Sequence, residues 1–216
     1  MITKYGYDVF FVVSIICLLA IALSLLFVEP KILRYCIIAL SAIFLGLTIN
    51  FFRDPERTSP AGENLVLSPA DGKIISIRQV EEKEFLGVGA TMVSVFMSPL
   101  NVHVNRNPVG GKVKHLRYVK GEYFAAFEDK ASEKNEQMVI GIESARGRVL
   151  FKQIAGFLAR RIVCTLKMDD TVKAGERFGM IKFGSRVDVF VPANAVIRAK
   201  IGDETAAGET VLAEFR

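Results

Sequence analysis

The 216-residue sequence contains no tryptophan, only two histidines and only three cysteines. With His103 and His115 as the sole imidazoles and no Cys-x-x-Cys spacing, the ligand set of a zinc or other transition-metal site is absent, and no metal is expected. Cys17, Cys36 and Cys164 form an odd set, two of them inside apolar N-terminal runs, which excludes a disulfide framework and points to free thiols in a reducing compartment. Cys164 stands in the apolar run Ile162-Val163-Cys164-Thr165-Leu166 and reads as a small buried hydrophobe rather than a nucleophile. Acidic residues are in modest deficit, 23 against 28 Lys and Arg, leaving a formal charge of +5. That balance suits an anionic partner, either nucleic acid or an acidic membrane surface.

Charge is wholly missing between Val9 and Val28, and what fills the gap is Val, Ile, Leu, Phe and Ala. About twenty helical residues at a rise of about 1.5 Å match a hydrocarbon core of about 30 Å. A second run, residues 35–52, is nearly as long, and Glu29-Pro30-Lys31 between them supplies a polar turn. The spacing predicts a transmembrane helical hairpin over residues 1–52, with helices about 9–28 and 35–52. A cleaved signal peptide would have a shorter apolar stretch and a small-residue cleavage site in place of Glu29-Pro30. The anionic partner is therefore a membrane, not nucleic acid. Lys4, Arg53 and Arg57 favour both ends on the cytoplasmic side of a cell membrane, against Lys31 and Arg34 in the short loop.

Arg53-Asp54-Pro55-Glu56-Arg57-Thr58-Ser59-Pro60 is a polar linker with two prolines, after which the pattern changes to short alternating stretches. Residues 53–216 form the second domain. Strands are predicted at 73–80, 91–97, 111–118, 138–143, 148–154, 161–166, 177–183, 186–190, 195–200 and 211–215, separated by Asp-Gly, Gly-Gly and Ala-Gly turn signals. The expected fold class is mainly β (α+β), an antiparallel domain behind the helical hairpin. Ser68-Pro69-Ala70-Asp71-Gly72-Lys73-Ile74 and residues 172–181 resemble the paired half-motifs of biotinyl and lipoyl domains and their hybrid-barrel relatives. This leaves a non-catalytic, membrane-anchored carrier module as an alternative, for which Lys130 in the charged run 128–136 would be the modified residue. That run is most simply a solvated loop or short helix.

Three residue types that together make an acid, a base and a hydroxyl are present, none specific alone. His103 lies in Asn101-Val102-His103-Val104-Asn105-Arg106, where alternation puts Asn101, His103 and Asn105 on one face of an extended segment. Such a histidine is often a hydrogen-bonded structural residue. Asp71 before Gly72 reads equally as an Asx turn, and Gly184-Ser185 as a tight connection. Triads are recognised by geometry and not by chain order.

In the order and spacing of Ser68-Pro69-Ala70-Asp71-Gly72, Asn101-Val102-His103, Asn135-Glu136, Arg160-Arg161 and Gly179-Met180-Ile181-Lys182-Phe183-Gly184-Ser185-Arg186, the chain resembles the phosphatidylserine decarboxylases. The likeness is to their short branch, whose cleavage motif reads Gly-Ser-Arg. The resemblance implies a hybrid-barrel-like catalytic domain. It also implies a carboxy-lyase that turns phosphatidylserine into phosphatidylethanolamine with a covalent pyruvoyl group. The precursor would cut itself between Gly184 and Ser185, giving a β chain of residues 1–184 and an α chain of 185–216. Ser185 would become the pyruvoyl group, with His103 and Asp71 as the other self-processing residues. The longer bacterial branch has a second histidine where this chain has Leu100, and a hydroxyl residue where this chain has Arg186. The substrate phosphate needs cations, for which Arg106, Arg160 and Arg161 are candidates, although the Arg160-Arg161 pair reads as well as a solvated basic edge or an interfacial anchor. Two apolar stretches, residues 85–89 and 123–127, could touch lipid, with core packing as their other reading. A phospholipid in the membrane is the implied partner, and a homo-oligomer is compatible with the same reading.

Overall fold

A computed structural model describes residues 1–122, 124, 134–156, 161–182 and 185–216. The expected residues Arg160 and Gly184, together with Phe183, Lys130 and most of the 123–127 stretch, lie outside the described residues. The chain divides into two compact units, Met1–Pro55 and Glu56–Arg216.

In the first unit a short 3-10 turn, Lys4–Gly6, leads into α1 (Tyr7–Phe27), and α2 (Lys31–Phe51) returns beside it. Both helices are long and apolar enough to cross a bilayer, with mean hydropathy of 3.1 and 2.2 and most side chains exposed. At 21 residues each they span about 32 Å. The second helix starts four residues before the hydropathy pattern suggested. Pro30, with φ of −65°, is preset for the N-cap, and Lys31 and Arg34 enter the first turn because a helix start needs no apolar residue. Arg34 also donates through Nε to the Val28 carbonyl at 2.9 Å. The open ends of the hairpin are tied by an antiparallel bridge between Ile2 and Arg53 and by the Thr3 N–H on the Phe52 carbonyl. Gly6 allows this, since a Cβ there would sit 2.1 Å from the Phe52 ring.

The second unit carries fourteen strands among the described residues: β1 (Leu65–Leu67), β2 (Gly72–Glu82), β3 (Val88–Met97), β4 (Val104–Arg106), β5 (Gly111–Val119), β6 (Gln137–Glu143), β7 (Arg148–Ala155), β8 (Arg161–Cys164), β9 (Thr171–Val172), β10 (Arg177–Lys182), β11 (Ser185–Pro192), β12 (Val196–Ile197), β13 (Glu204–Thr205) and β14 (Val211–Glu214). An eight-stranded antiparallel sheet in the order β13-β2-β3-β11-β7-β6-β5-β9 curls as a half-barrel. Two three-stranded sheets, β4-β10-β8 and β1-β14-β12, accompany it. The mainly antiparallel β class expected from the sequence is what the chain forms.

Three strands went unread because β1, β9 and β13 are two or three residues long, too short for alternation to register. Conversely, the 195–200 stretch pairs only over Val196–Ile197. The core joins alternate residues of the sheet, among them Val93, Val95 and Met97 of β3 with Val187, Val189 and Val191 of β11. On the opposite face Leu86, Met92, Leu150 and Phe190 make a smaller cluster. Phe85 and Leu86 of the candidate lipid-touching stretch pack there, held by the Glu82 carboxylate, which accepts the backbone N–H of Phe85 and Leu86. Val88 at its end is exposed.

Candidate functional site

β11 is the centre of the large sheet, paired with β3 over Ser185↔Met97 to Pro192↔Ala90 and with β7 from Ser185↔Ala155. Ser185 is its first residue and is fully buried. Its hydroxyl donates to the Met97 thioether at 3.2 Å. Sulfur is a weak acceptor, so the hydroxyl is oriented without being committed to a strong hydrogen bond.

Asp71 reaches the same end of the sheet by register. β2 pairs Lys73 with Phe96, so the preceding residues continue towards Met97 and the Ser185 end of β11. Gly72 makes the approach feasible, because a Cβ there would lie 2.1 Å from the Phe96 carbonyl oxygen. The turn before it is held by the Ser68 hydroxyl on the Ala70 carbonyl and by the Pro69 carbonyl, which accepts the Arg106 N–H and the Asn105 side-chain amide.

His103 enters from the segment joining β3 to β4. Its backbone carbonyl accepts the Ile181 N–H at 3.4 Å. Ile181 and Ser185 are four residues apart in the chain, a reach of at most about 14 Å. The two segments Met97-to-His103 and Ile181-to-Ser185 are thus joined at both ends, bringing His103 and Ser185 into one neighbourhood. The imidazole is fully buried, and Nδ1 lies 2.9 Å from the Asn101 carbonyl. A carbonyl only accepts, so Nδ1 is the donor of this hydrogen bond. The segment is not the continuous strand expected. Asn101 sits in a turn, its side-chain oxygen accepting the Ser98 N–H, and only Val104–Arg106 is extended.

The Asp71 carboxylate spends its described hydrogen bonds elsewhere than on His103. Oδ2 meets Arg57 Nη2 at 2.8 Å, and Oδ1 accepts the Ala207 N–H at 2.8 Å. Arg57 also holds Glu209 at 2.8 Å, and Glu209 accepts the Thr58 N–H at 3.2 Å. Burial works against the Arg57 charge, but the Glu209 and Asp71 carboxylates outweigh it and hold the guanidinium above its ordinary range. The hydrogen bond from Arg57 likewise lowers the Glu209 carboxyl. Sequence reasoning saw Arg57 only as a topology-setting cation. The signal available was its place in a proline-punctuated linker that precedes the Asp-Gly turn by fourteen residues.

Around Ser185 the polar side chains are tied in. Asn105 donates to the Pro69 carbonyl at 3.2 Å and accepts from Gln153 at 2.9 Å. Asn135 donates to the Ala155 carbonyl beside Ser185 at 2.7 Å, and exchanges two bonds with the Phe124 backbone at 2.8 Å each. Arg186 points to the other face, where Nε meets Asp188 at 2.6 Å and Nη2 meets Ser94 at 2.8 Å, all fully buried. Of the candidate phosphate cations, Arg106 is buried and donates to the Gly175 carbonyl at 2.9 Å, while Arg161 is exposed on β8 opposite Lys182. His115 shares Glu84 with Arg117, away from β11. The Cys164 thiol is pushed up to about 11 by burial, in keeping with a packing residue. No group of three His, Cys, Asp or Glu that could hold a metal occurs among the described residues.

A family model for phosphatidylserine decarboxylase matches residues 44–213. The phosphatidylserine decarboxylase proenzyme of Chlorobium phaeobacteroides is 46% identical over 213 residues, covering 99% of both chains. The proenzymes of Chlorobium luteolum and Pelodictyon phaeoclathratiforme are 47% and 46% identical over 215 residues, each covering the whole of both chains.

Proposed function

Because the chain belongs to the phosphatidylserine decarboxylase family, we propose that it converts phosphatidylserine to phosphatidylethanolamine and carbon dioxide, with a pyruvoyl group that it makes from its own Ser185. The observation that carries this reading is the setting of Ser185: a buried serine at the head of the central strand, its hydroxyl resting on a thioether, with His103 tied by backbone to the same corner.

In the self-cleavage, His103 Nε2 takes the Ser185 Oγ proton, with the charge of Asp71 at the same end of the sheet favouring the resulting imidazolium. Oγ bonds to the Gly184 carbonyl carbon, the Gly184–Ser185 C–N bond breaks, and the freed nitrogen takes the proton, leaving an ester. Loss of the Ser185 Cα proton expels the Gly184 carboxylate as the Cβ–Oγ bond breaks. The dehydroalanine left at position 185 takes up water and releases ammonia, which leaves the ketone. The products are a β chain of residues 1–184 and an α chain of 185–216.

The setting of position 185 suits such a group. Position 185 is shielded from water, and the pairing of β11 with β3 and β7 would keep it in place once the chain is cut. The rest of the α chain is also anchored, β13 on β2 and β14 on β1. When formed, the pyruvoyl ketone supplies the electron sink that decarboxylation requires. His103 then returns a proton to the substrate carbon, a role secondary to its part in cleavage. Among the cations, Arg161 is an exposed residue of β8, accessible to a phosphodiester, whereas Arg106 is buried. Arg160 remains a candidate from the sequence.

The helical pair in residues 1–52 anchors the enzyme in the bilayer that holds its substrate, with residues 53–216 as the catalytic domain on the cytoplasmic side of the cell membrane. The test compares carbon dioxide release from phosphatidylserine vesicles and from free serine. Release from vesicles alone is expected, and equal rates would remove the lipid assignment.

A further inference from the structure

We propose that Arg57, in the linker that follows the helical pair, is a positioning residue for self-cleavage, acting through Asp71. The inference rests on the reading of Asp71, His103 and Ser185 as the self-processing set. The Asp71 carboxylate is held from two sides, by Arg57 Nη2 and by the Ala207 N–H, each at 2.8 Å. Two such bonds to different oxygens fix both the position and the plane of the carboxylate. A carboxylate has about four lone-pair sites, so about two remain beyond these bonds. Arg57 is itself fixed by Glu209 at 2.8 Å, and both the Arg57 and Asp71 side chains are only 13% exposed.

The neighbouring linker contacts differ in kind. Glu56 meets Arg177 at 2.9 Å, but its side chain is 72% exposed, so this pair only staples the linker to β10. Arg57 instead holds Asp71, and both side chains of that pair are mostly buried. Cleavage therefore depends on Arg57 being seated on Asp71, and without that contact Asp71 is held from one side only.

The test is the rate at which the full-length chain, freshly made and held in detergent, is cut, followed by gel and mass. Arg57→Ala is expected to slow cleavage by between about tenfold and a hundredfold, the size of losing a charge-assisted hydrogen bond. Free guanidinium, far below denaturing concentrations, should restore part of the rate, and Arg57→Lys should retain more than Arg57→Ala. Glu209→Gln, which leaves Asp71 and Arg57 intact, should slow cleavage less. Should Arg57→Ala fail to fold, Glu209→Gln against wild type carries the test. Glu56→Gln should cut at the wild-type rate.

Wild-type cleavage rates in both Arg57→Ala and Glu209→Gln, or a slow Arg57→Ala that neither guanidinium nor lysine improves, would overturn the proposal while leaving the assignment of Ser185 standing. An uncut wild-type chain would instead remove the underlying reading, and this inference with it.

Discussion

Ser185 is unusual less for its neighbours' charge than for the weakness of its hydrogen bond. A hydroxyl donated to a thioether is easily redirected to a base, and for His103 in the base role proposed above, the Asn101 carbonyl holds Nδ1 as a donor. The orienting group is thus a backbone oxygen, held in place because the Asn101 side chain closes its own turn onto Ser98. Asn101→Ala should therefore slow self-cleavage by roughly tenfold while costing only about 1 kcal/mol of stability, since one hydrogen bond of the turn is lost. A cleavage time course beside a urea melt checks this, and an unchanged cleavage rate would contradict it. Block order in the sequence singled out Asp71 and His103. That a carbonyl holds the imidazole and an arginine holds the carboxylate was not, because both depend on a turn and a fourteen-residue return of the chain that no local pattern encodes.

At the scale of the element, β11 is buried on both faces, which makes its register costly to shift. The inward face is Val187, Val189 and Val191, and alternation in the sequence reads that half correctly. The other face carries Arg186 and Asp188, which a period-two reading leaves to solvent. Instead they pair at 2.6 Å in a fully buried site with Ser94 as a further acceptor. Breaking such a pair leaves an uncompensated buried charge, so Arg186→Ala should destabilise the chain by about 3–5 kcal/mol. Replacing both residues by well-packed apolar side chains should cost much less. Urea unfolding in a Ser185→Ala background keeps cleavage out of the measurement, and a loss under about 1 kcal/mol for Arg186→Ala would show that the site is hydrated. The short strands β1, β9 and β13 escaped the sequence for a different reason: at two or three residues they are defined by partners distant in the chain.

For the whole molecule, the composition break near residue 53 and the apolar helices were the plainest features of the sequence, and the chain does separate into Met1–Pro55 and Glu56–Arg216. A carrier-module reading of the half-motifs accounted for turns but not for membership of a decarboxylase family. The last four described strands, β11 to β14, belong to the segment after Ser185, yet each is paired with strands before it or within the same small sheet. A cut before Ser185 therefore divides the chain without dividing the fold. Intact-mass spectrometry of the purified protein tests this most directly. Two fragments are expected, residues 1–184 and residues 185–216, the latter carrying a ketone where an amino-terminal serine would stand, and Ser185→Ala should give a single chain. An uncut 216-residue wild-type chain, or a 185–216 fragment beginning with unmodified serine, would contradict the account.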